Sequence, residues 1–349
     1  MTLDSIRNDI DRIDSRILAL LDERFGKALL ARRYKIETFD HNREKEVLER
    51  VGKRAKGIMT ETFITKLYTD IMGESRTIQD RMPKLLGFQG MHGAYSEAAA
   101  KAWKPGAACL PFMEFSQVFD ALVNGVLDYG IVPVENTLGG IVGQVNSILV
   151  STELHIIAAI DMPVSHCLLA LPGTNHREIR SAWSHPQALA QCRRFLLRNK
   201  IDAIEYCDTA AAARMLSEDQ PKGSAAVASR YAAELYGLEI IKEGIQDSGN
   251  NRTRFFVLAK NPNGNGNKCS IVFFTDDKAG SLFNVLEVFA KSGINLTRIE
   301  SVPDEPGDYA MFIDFDGSEN EPHVAKALET VGNNTRNFRF LGCYEERKL

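Results

Sequence analysis

Several cations and amides in the first eighty residues are spaced so that they can share helix faces. Arg24 and Lys35 stand 11 positions apart. At about 100° per residue they fall within roughly 20° of one another on one face. Arg7, 17 positions before Arg24, comes out about 100° away and points elsewhere. Ser75 and Gln79 are four apart and lie on one face of a later helix. Fixed cations and amide donors of this kind can hold carboxylates and stabilise charge that develops on oxygen. Taken singly, any of these arginines or lysines also fits a solvated surface charge.

Four further clusters carry chemistry: GMHGAYSEAA (90–99), VPVENTLGG (132–140), SHPQALAQC (184–192) and NNRTRF (250–255). Ser184 ahead of Pro186 resembles a helix cap followed by an early helical proline. Thr209 before a run of four alanines is similar, and Asn136-Thr137 follows a strand, where a loop or helix start belongs. Free N–H groups of several helix starts, converging on one cleft, suit a substrate with two carboxylates. As isolated features, Ser184 and Thr209 also fit plain caps, and His185 fits a structural role equally well. Gly87, Gly90 and Gly93 lack the GxGxxG spacing, and no acidic residue follows a second strand at the right distance, which sets aside a dinucleotide loop.

The elements that position these residues fall into three segments. In residues 1–82, Leu3, Ile6, Ile10, Ile13, Ile17, Leu20 and Leu21 recur at spacings of three and four. The pattern runs to about Lys35, roughly 50 Å of helix. So long a stripe cannot be buried inside an eighty-residue unit, so a dimer is expected. Asp40 and Asn42, in the turn from Thr38 to Asn42, are candidate caps for a second helix near Arg43. A third helix is expected from about Thr60 to Arg81, stopped by Met82-Pro83. Residues 84–262 alternate strand-like runs with Ala-rich helical runs, the pattern of an α/β domain. Residues 261–268, NPNGNGNK, are a linker. The last segment, 268–349, orders itself strand, helix, strand, strand, helix, strand, which is the ferredoxin-like order.

The chain has 349 residues, enough for two or three domains. With 44% apolar and 25% charged residues it has the balance of a soluble globular protein. A net charge of −4 argues against nucleic acid and acidic membranes as partners. The charged start MTLDSIRNDID is unlike a signal peptide, so a cytoplasmic location is expected. The six cysteines form no CxxC pair and fit reduced thiols, with neither a disulfide frame nor a metal site. No cofactor is implied.

The runs IRNDIDRID, LLDER, DHNRE and ESRTIQ resemble the all-helical chorismate mutase family. That resemblance implies an interlocked dimer in which Arg7 serves the partner's site. It further implies that Arg24 and Arg43 hold substrate carboxylates, that Lys35 and Gln79 flank the ether oxygen as the catalytic pair, and that Asp40, Glu44 and Ser75 complete the polar shell. A neutral Gln79 does not titrate, so the rearrangement should depend weakly on pH near neutrality. The TRF of NNRTRF, the ENT after a strand and SHPQALAQC resemble the prephenate dehydratase family. Two α/β lobes, like those of a periplasmic binding protein, are then implied, with substrate in the crevice. Lobe one is 84 to about 164 plus a return strand near 255, and lobe two is about 165 to 238. Thr253 is the catalytic hydrogen-bond donor by that resemblance and Glu135 a candidate proton source. Asn136, Ser184, Gln191 and Arg254 are candidate substrate contacts.

The string AGSLFNVLEVFAKSGINLTRIESVP (279–303) resembles an ACT domain, and its pocket residues map to Gly280, Ser281, Leu282, Asn295, Leu296, Glu300 and Ser301. Val302 stands where such strings usually have arginine. The three segments in this order resemble the bifunctional chorismate mutase–prephenate dehydratases of phenylalanine synthesis, with L-phenylalanine as effector. A dehydratase whose helices only dimerise, and a binding or sensing protein, are the alternatives. The intact Arg7, Arg24, Lys35, Arg43 and Gln79 set argues against the first. The intact Thr253-Arg254-Phe255 string argues against the second.

Overall fold

The computed structural model describes residues 2–35, 39–54, 56–276, 278–303 and 308–349. Thr38 of the expected first turn lies outside them.

The N-terminal segment is three helices, α1 (Leu3–Arg32), α2 (His41–Gly52) and α3 (Glu61–Asp80). Asp40 caps α2 by accepting from the Arg43 N–H at 3.0 Å, and Thr60 caps α3 by accepting from Phe63. Asn42 is therefore inside the helix and not a cap. The first helix stops earlier than its periodicity suggests. Arg33 and Tyr34 form a turn, so Lys35 lies beyond the helix and the shared face with Arg24 does not hold. The apolar stripe is open to solvent in the single chain: Leu3, Ile6, Ile10, Ile13, Ile17 and Leu20 are each between 41% and 62% exposed.

The middle segment contains two lobes. Lobe one holds β1 (Leu85–Gln89), α4 (Tyr95–Trp103), β2 (Ala108–Phe112), α5 (Phe115–Val123), β3 (Tyr129–Asn136), β4 (Gly140–Ile141), α6 (Gly143–Ser151) and β5 (His155–Pro163). Lobe two holds β6 (Cys167–Ala170), β7 (Ser181–Ser184), α7 (Pro186–Gln191), α8 (Arg193–Arg198), β8 (Asp202–Glu205), α9 (Thr209–Asp219), β9 (Ser224–Ala228), α10 (Arg230–Tyr236) and β10 (Glu239–Lys242). The chain then returns to lobe one as β11 (Arg252–Ala259), between β3 and β5. Lobe two thus extends past residue 238 to include β10, which pairs with β6.

The last segment is β12 (Lys268–Phe274), α11 (Ser281–Lys291), β13 (Leu296–Pro303), β14 (Tyr309–Asp316), α12 (Pro322–Asn333) and β15 (Arg336–Lys348). Its strands order as β13-β14-β12-β15, the ferredoxin-like arrangement, with both helices on one face. The other face packs on lobe one. Val302, Ala310, Phe312, Leu341 and Tyr344 join Val145, Leu149, Ile156 and Phe256 in one apolar core. Strand β15 is long enough to leave its own sheet and pair in parallel with β5, from Glu345 opposite Ala158 to Lys348 opposite Asp161. One sheet, β13-β14-β12-β15-β5-β11-β3-β1-β2, therefore runs through both units. Gly342 makes this possible. Its φ is 149°, and a Cβ there would sit 2.2 Å from the Ile156 carbonyl oxygen. No helix among the described residues is long and apolar enough to cross a membrane.

Candidate active sites

At the junction of the two lobes, side chains from both form one hydrogen-bonded chain. In β3–β11 register, Asn136 lies opposite Thr253, so both project to the same face of the sheet. Asn136 Nδ2, with two hydrogens to give, lies 2.9 Å from each of three acceptors: Thr253 Oγ1, Asn251 Oδ1 and the Arg252 carbonyl. Its Oδ1 accepts from the backbone N–H groups of Leu138 and Gly139. Lobe two answers with Gln191 at the end of α7. Gln191 Oε1 accepts from Asn251 Nδ2 at 2.9 Å and meets His166 Nε2 at 2.8 Å. His166 Nδ1 in turn meets the hydroxyl of Tyr95, on α4, at 3.0 Å. Asn251, His166 and Thr253 are buried at 1%, 2% and 9% exposure, so these groups face one another and not bulk water. Burial lowers the His166 pKa, opposed by its bond to Gln191. Burial, with Cys167 and Cys192 nearby, raises that of Tyr95.

This network gathers Thr253, Asn136 and Gln191, and it adds Asn251, His166 and Tyr95, which sequence reasoning did not single out. Asn251 and Tyr95 lay inside the NNRTRF and GMHGAYSEAA clusters. Nothing in the pattern around His166, just before a buried strand, marked it.

Three other residues fall elsewhere. Ser184 is not a helix cap: it ends β7, is fully buried, and donates to the Val227 carbonyl at 2.6 Å. The cap is His185, whose Nδ1 accepts from Gln187 N–H. Likewise Asp208, not Thr209, caps α9. Glu135 and Arg254 are opposite one another in the β3–β11 ladder and, by strand alternation, face away from Thr253. Arg254 instead reaches the C-terminal unit. Its Nη1 donates to Asp314 at 2.5 Å, its Nε to Glu346 at 2.5 Å and its Nη2 to the Tyr344 hydroxyl at 3.2 Å. Burial opposes the Arg254 charge, and Asp314, Tyr344 and Glu346 more than offset it, raising its pKa. Glu135 stands 3.5 Å from Arg254 and 3.7 Å from Arg298. A cavity of about 380 Å³ lies on this side, lined by Glu135, Arg252, Arg254, Lys268 and Glu346 among others.

Among the helices, the structure pairs Ser75 with Gln79. Both are buried, and Gln79 Nε2 donates to Ser75 Oγ at 3.3 Å. Arg24 Nη1 is buried and has no hydrogen-bond partner among the described residues. Glu44 is ion-paired with Arg76. Asp40 is occupied as the α2 cap, Arg43 bonds Glu46 at 3.1 Å, and Arg7, Lys35 and Arg43 are exposed. A single chain therefore does not gather the full set. A larger cavity, about 660 Å³, opens between α1 and the two lobes, and none of the candidate site residues lines it.

Family models match in order: chorismate mutase type II over residues 6–80, prephenate dehydratase over 86–263 and ACT domain over 270–333. The bifunctional chorismate mutase/prephenate dehydratase of Aquifex aeolicus is 34% identical over 366 aligned positions, covering 99% of each chain. This chain belongs to that bifunctional family. It carries a chorismate mutase domain, an isomerase, and a prephenate dehydratase domain, a lyase, followed by an ACT domain. Two solved structures are similar to the dehydratase and ACT portion. A protein described as a novel type of quorum-quenching acylase aligns with a TM-score of 0.71 and 32% identity, covering 76% of this chain and 98% of its own. The prephenate dehydratase of Arthrobacter aurescens in complex with L-Phe aligns with a TM-score of 0.68 and 31% identity, covering 75% and 89%.

In the ACT domain the candidate effector residues separate. Gly280, with φ 89°, and Ser281 and Leu282 open α11 just after the end of β12. Leu296 is level with Cys269 at the start of β12, so Asn295 and Leu296 sit at the opposite end of the sheet. Asn295 Nδ2 donates to Asp316 at 2.8 Å. Glu300 and Ser301 lie nearer the Gly280 end of β13, an edge strand of the sheet. Val302, in the place of the usual arginine, is buried in the seam with lobe one.

Proposed function

We propose that the helical domain rearranges chorismate to prephenate and that the two-lobed domain converts prephenate to phenylpyruvate, CO₂ and water. L-Phenylalanine acts back through the ACT domain to slow the second step. The observation that carries the reading is the Asn136–Thr253 pair at the lobe junction. Asn136 Nδ2, 2.9 Å from Thr253 Oγ1, can only donate, so the threonine's own hydrogen is left free to donate elsewhere. Aromatisation drives the elimination, so the protein need only ease departure of the ring hydroxyl. Thr253, too weak an acid to lose a full proton, does this as a hydrogen-bond donor. Gln191 and Asn251 hold the pair in place.

In the helical domain the reaction is intramolecular and needs no nucleophile. Holding the compact conformer and stabilising the breaking C–O bond suffice. The orphan donor of Arg24 fits a substrate carboxylate, and the buried Gln79 amide fits the ether oxygen. Lys35, Arg43 and the partner's Arg7 complete the site on dimerisation, which also covers the exposed stripe of α1. The ACT domain fits the same assembly. Asn295 and Leu296 of one copy can meet Gly280 to Leu282 of another only if domains pair.

The test is to incubate the purified chain with chorismate and follow prephenate, then phenylpyruvate, with and without millimolar L-phenylalanine. Both products should appear, and phenylalanine should slow only the second. Thr253→Ala should lower the dehydratase rate by about 10²–10³-fold, the value of one transition-state donor, and spare the mutase. Chorismate left untouched while prephenate is consumed would reduce the helices to a dimerisation module.

A further inference from the structure

The amide directions in the lobe-junction network are fixed by backbone, and this settles the proton on a buried histidine. Asn136 Oδ1 takes two backbone N–H groups and its Nδ2 faces the Arg252 carbonyl, so the amide cannot be reversed. Asn251 must then present Oδ1 to Asn136 and Nδ2 to Gln191. Gln191 Oε1 is thereby an acceptor twice over, and His166 Nε2, 2.8 Å away, must carry a hydrogen.

The other side of the ring has one hydrogen for two acceptors. Tyr95 Oη lies 2.6 Å from the Ser165 carbonyl and 3.0 Å from His166 Nδ1. With a neutral ring, the single Tyr95 hydrogen serves one of them and leaves the other unserved. With a second proton on Nδ1, the ring donates to Tyr95, Tyr95 donates to Ser165, and every group is satisfied. No formal charge opposes or supports that proton among the described neighbours. Tyr95 is the titratable group that meets the ring, Cys167 and Cys192 lie near that tyrosine, and the carboxylate of Asp247 is turned to the Arg194 N–H. Burial disfavours the charged ring, opposed only by its bond to Gln191.

We propose that His166 is a positioning residue of the dehydratase that takes up one proton when dianionic prephenate binds at the lobe junction. The inference rests on the dehydratase reading above. It also matches that reaction's balance. Prephenate dianion plus one proton gives phenylpyruvate monoanion, CO₂ and water, so each turnover consumes a proton. The ring becomes the one positive charge in a network otherwise built of neutral amides and hydroxyls.

The experiment is calorimetric titration of full-length Thr253→Ala with prephenate in two buffers of different ionisation enthalpy, at a pH above 7. About one proton should be taken up per site, and His166→Gln in the same background should take up none. Alongside, the wild-type KM for prephenate should rise about tenfold per pH unit on the alkaline side while kcat changes little, as linkage of one proton to binding requires. Proton uptake near zero in the His166-containing protein, or uptake unchanged in His166→Gln, overturns the proposal. If His166→Gln does not bind, a wild-type KM flat between pH 6 and 9 is the overturning result and the alkaline rise the supporting one. Wild-type protein that never consumes prephenate refutes the dehydratase reading instead.

Discussion

Arg254→Met separates two roles for the arginine beside Thr253. If Arg254 bound substrate, its loss would appear in KM for prephenate with stability intact. The geometry argues for the opposite result. Asp314 has 0% exposure, and its carboxylate is met by Arg254 at 2.5 Å and the Ser270 hydroxyl at 2.6 Å. Removing the guanidinium leaves a fully buried anion with one neutral partner, a change that costs about 3–5 kcal/mol. Glu346 loses less, because Lys268 still reaches its other oxygen at 2.6 Å. A loss near 3 kcal/mol is a large share of an ordinary domain's stability. The seam between β11, β15 and β14 should therefore loosen. Urea denaturation, followed by a probe in the ACT domain, should show an unfolding free energy lowered by that amount, seen as a lower midpoint at unchanged m. The mutase, on separate helices, should keep its rate. The double variant Arg254→Met, Asp314→Leu removes the stranded charge and should recover most of the loss, giving a coupling of more than about 1 kcal/mol between contacting residues. A single variant with unchanged stability and a raised KM would refute the placement of Arg254 in the seam. So would a double variant whose losses simply add.

Gln79→Leu should lower mutase turnover by about 10²–10³-fold through loss of one donor, with dehydratase turnover unchanged; both are read in one coupled assay. Ile10→Asp with Ile17→Asp, both on the open stripe of α1, should give a monomer by light scattering and abolish mutase activity, the outcome required by the proposal that each site takes Arg7 from a partner chain. On the acid side, Glu97 is buried at 2% exposure; burial opposes its charge, but His92, the Gly93 N–H and Lys101 outweigh that and hold its pKa below the ordinary 4.5. The stability this carboxylate contributes is present above about pH 4.5 and is lost as pH falls below it towards the lowered folded value. Melting temperature should drop over that interval in the native chain and drop less in Glu97→Gln.

The three segments were legible in the sequence because each has its own period: helical in residues 2–80, alternating in the middle, and strand-helix-strand at the end. The candidate residues that the structure brings together at the lobe junction are those whose position in a strand or helix fixes their direction. Asn136 and Thr253 share a face because two strands pair in register, and Gln191 ends a helix opened by Pro186. The misreadings arose where direction depended on a partner absent from the local pattern. Arg254 follows Thr253 in the chain, yet alternation turns it to the other side of the sheet, where the acids that receive it lie 60 and 92 residues away. Ser184 and Thr209 were each one residue from the true cap, since a serine or threonine beside a histidine or aspartate does not reveal which enters the helix. Lys35 was placed on the α1 face by extrapolating a period past the turn at Arg33-Tyr34. His166 carried no local signal at all. Its chemistry exists only because a backbone turn at Leu138-Gly139 orients Asn136, and that orientation passes through Asn251 and Gln191 to the imidazole. Chemistry transmitted through hydrogen-bond direction across a lobe junction is set by tertiary structure, and so it is at this kind of network that a single sequence falls silent first.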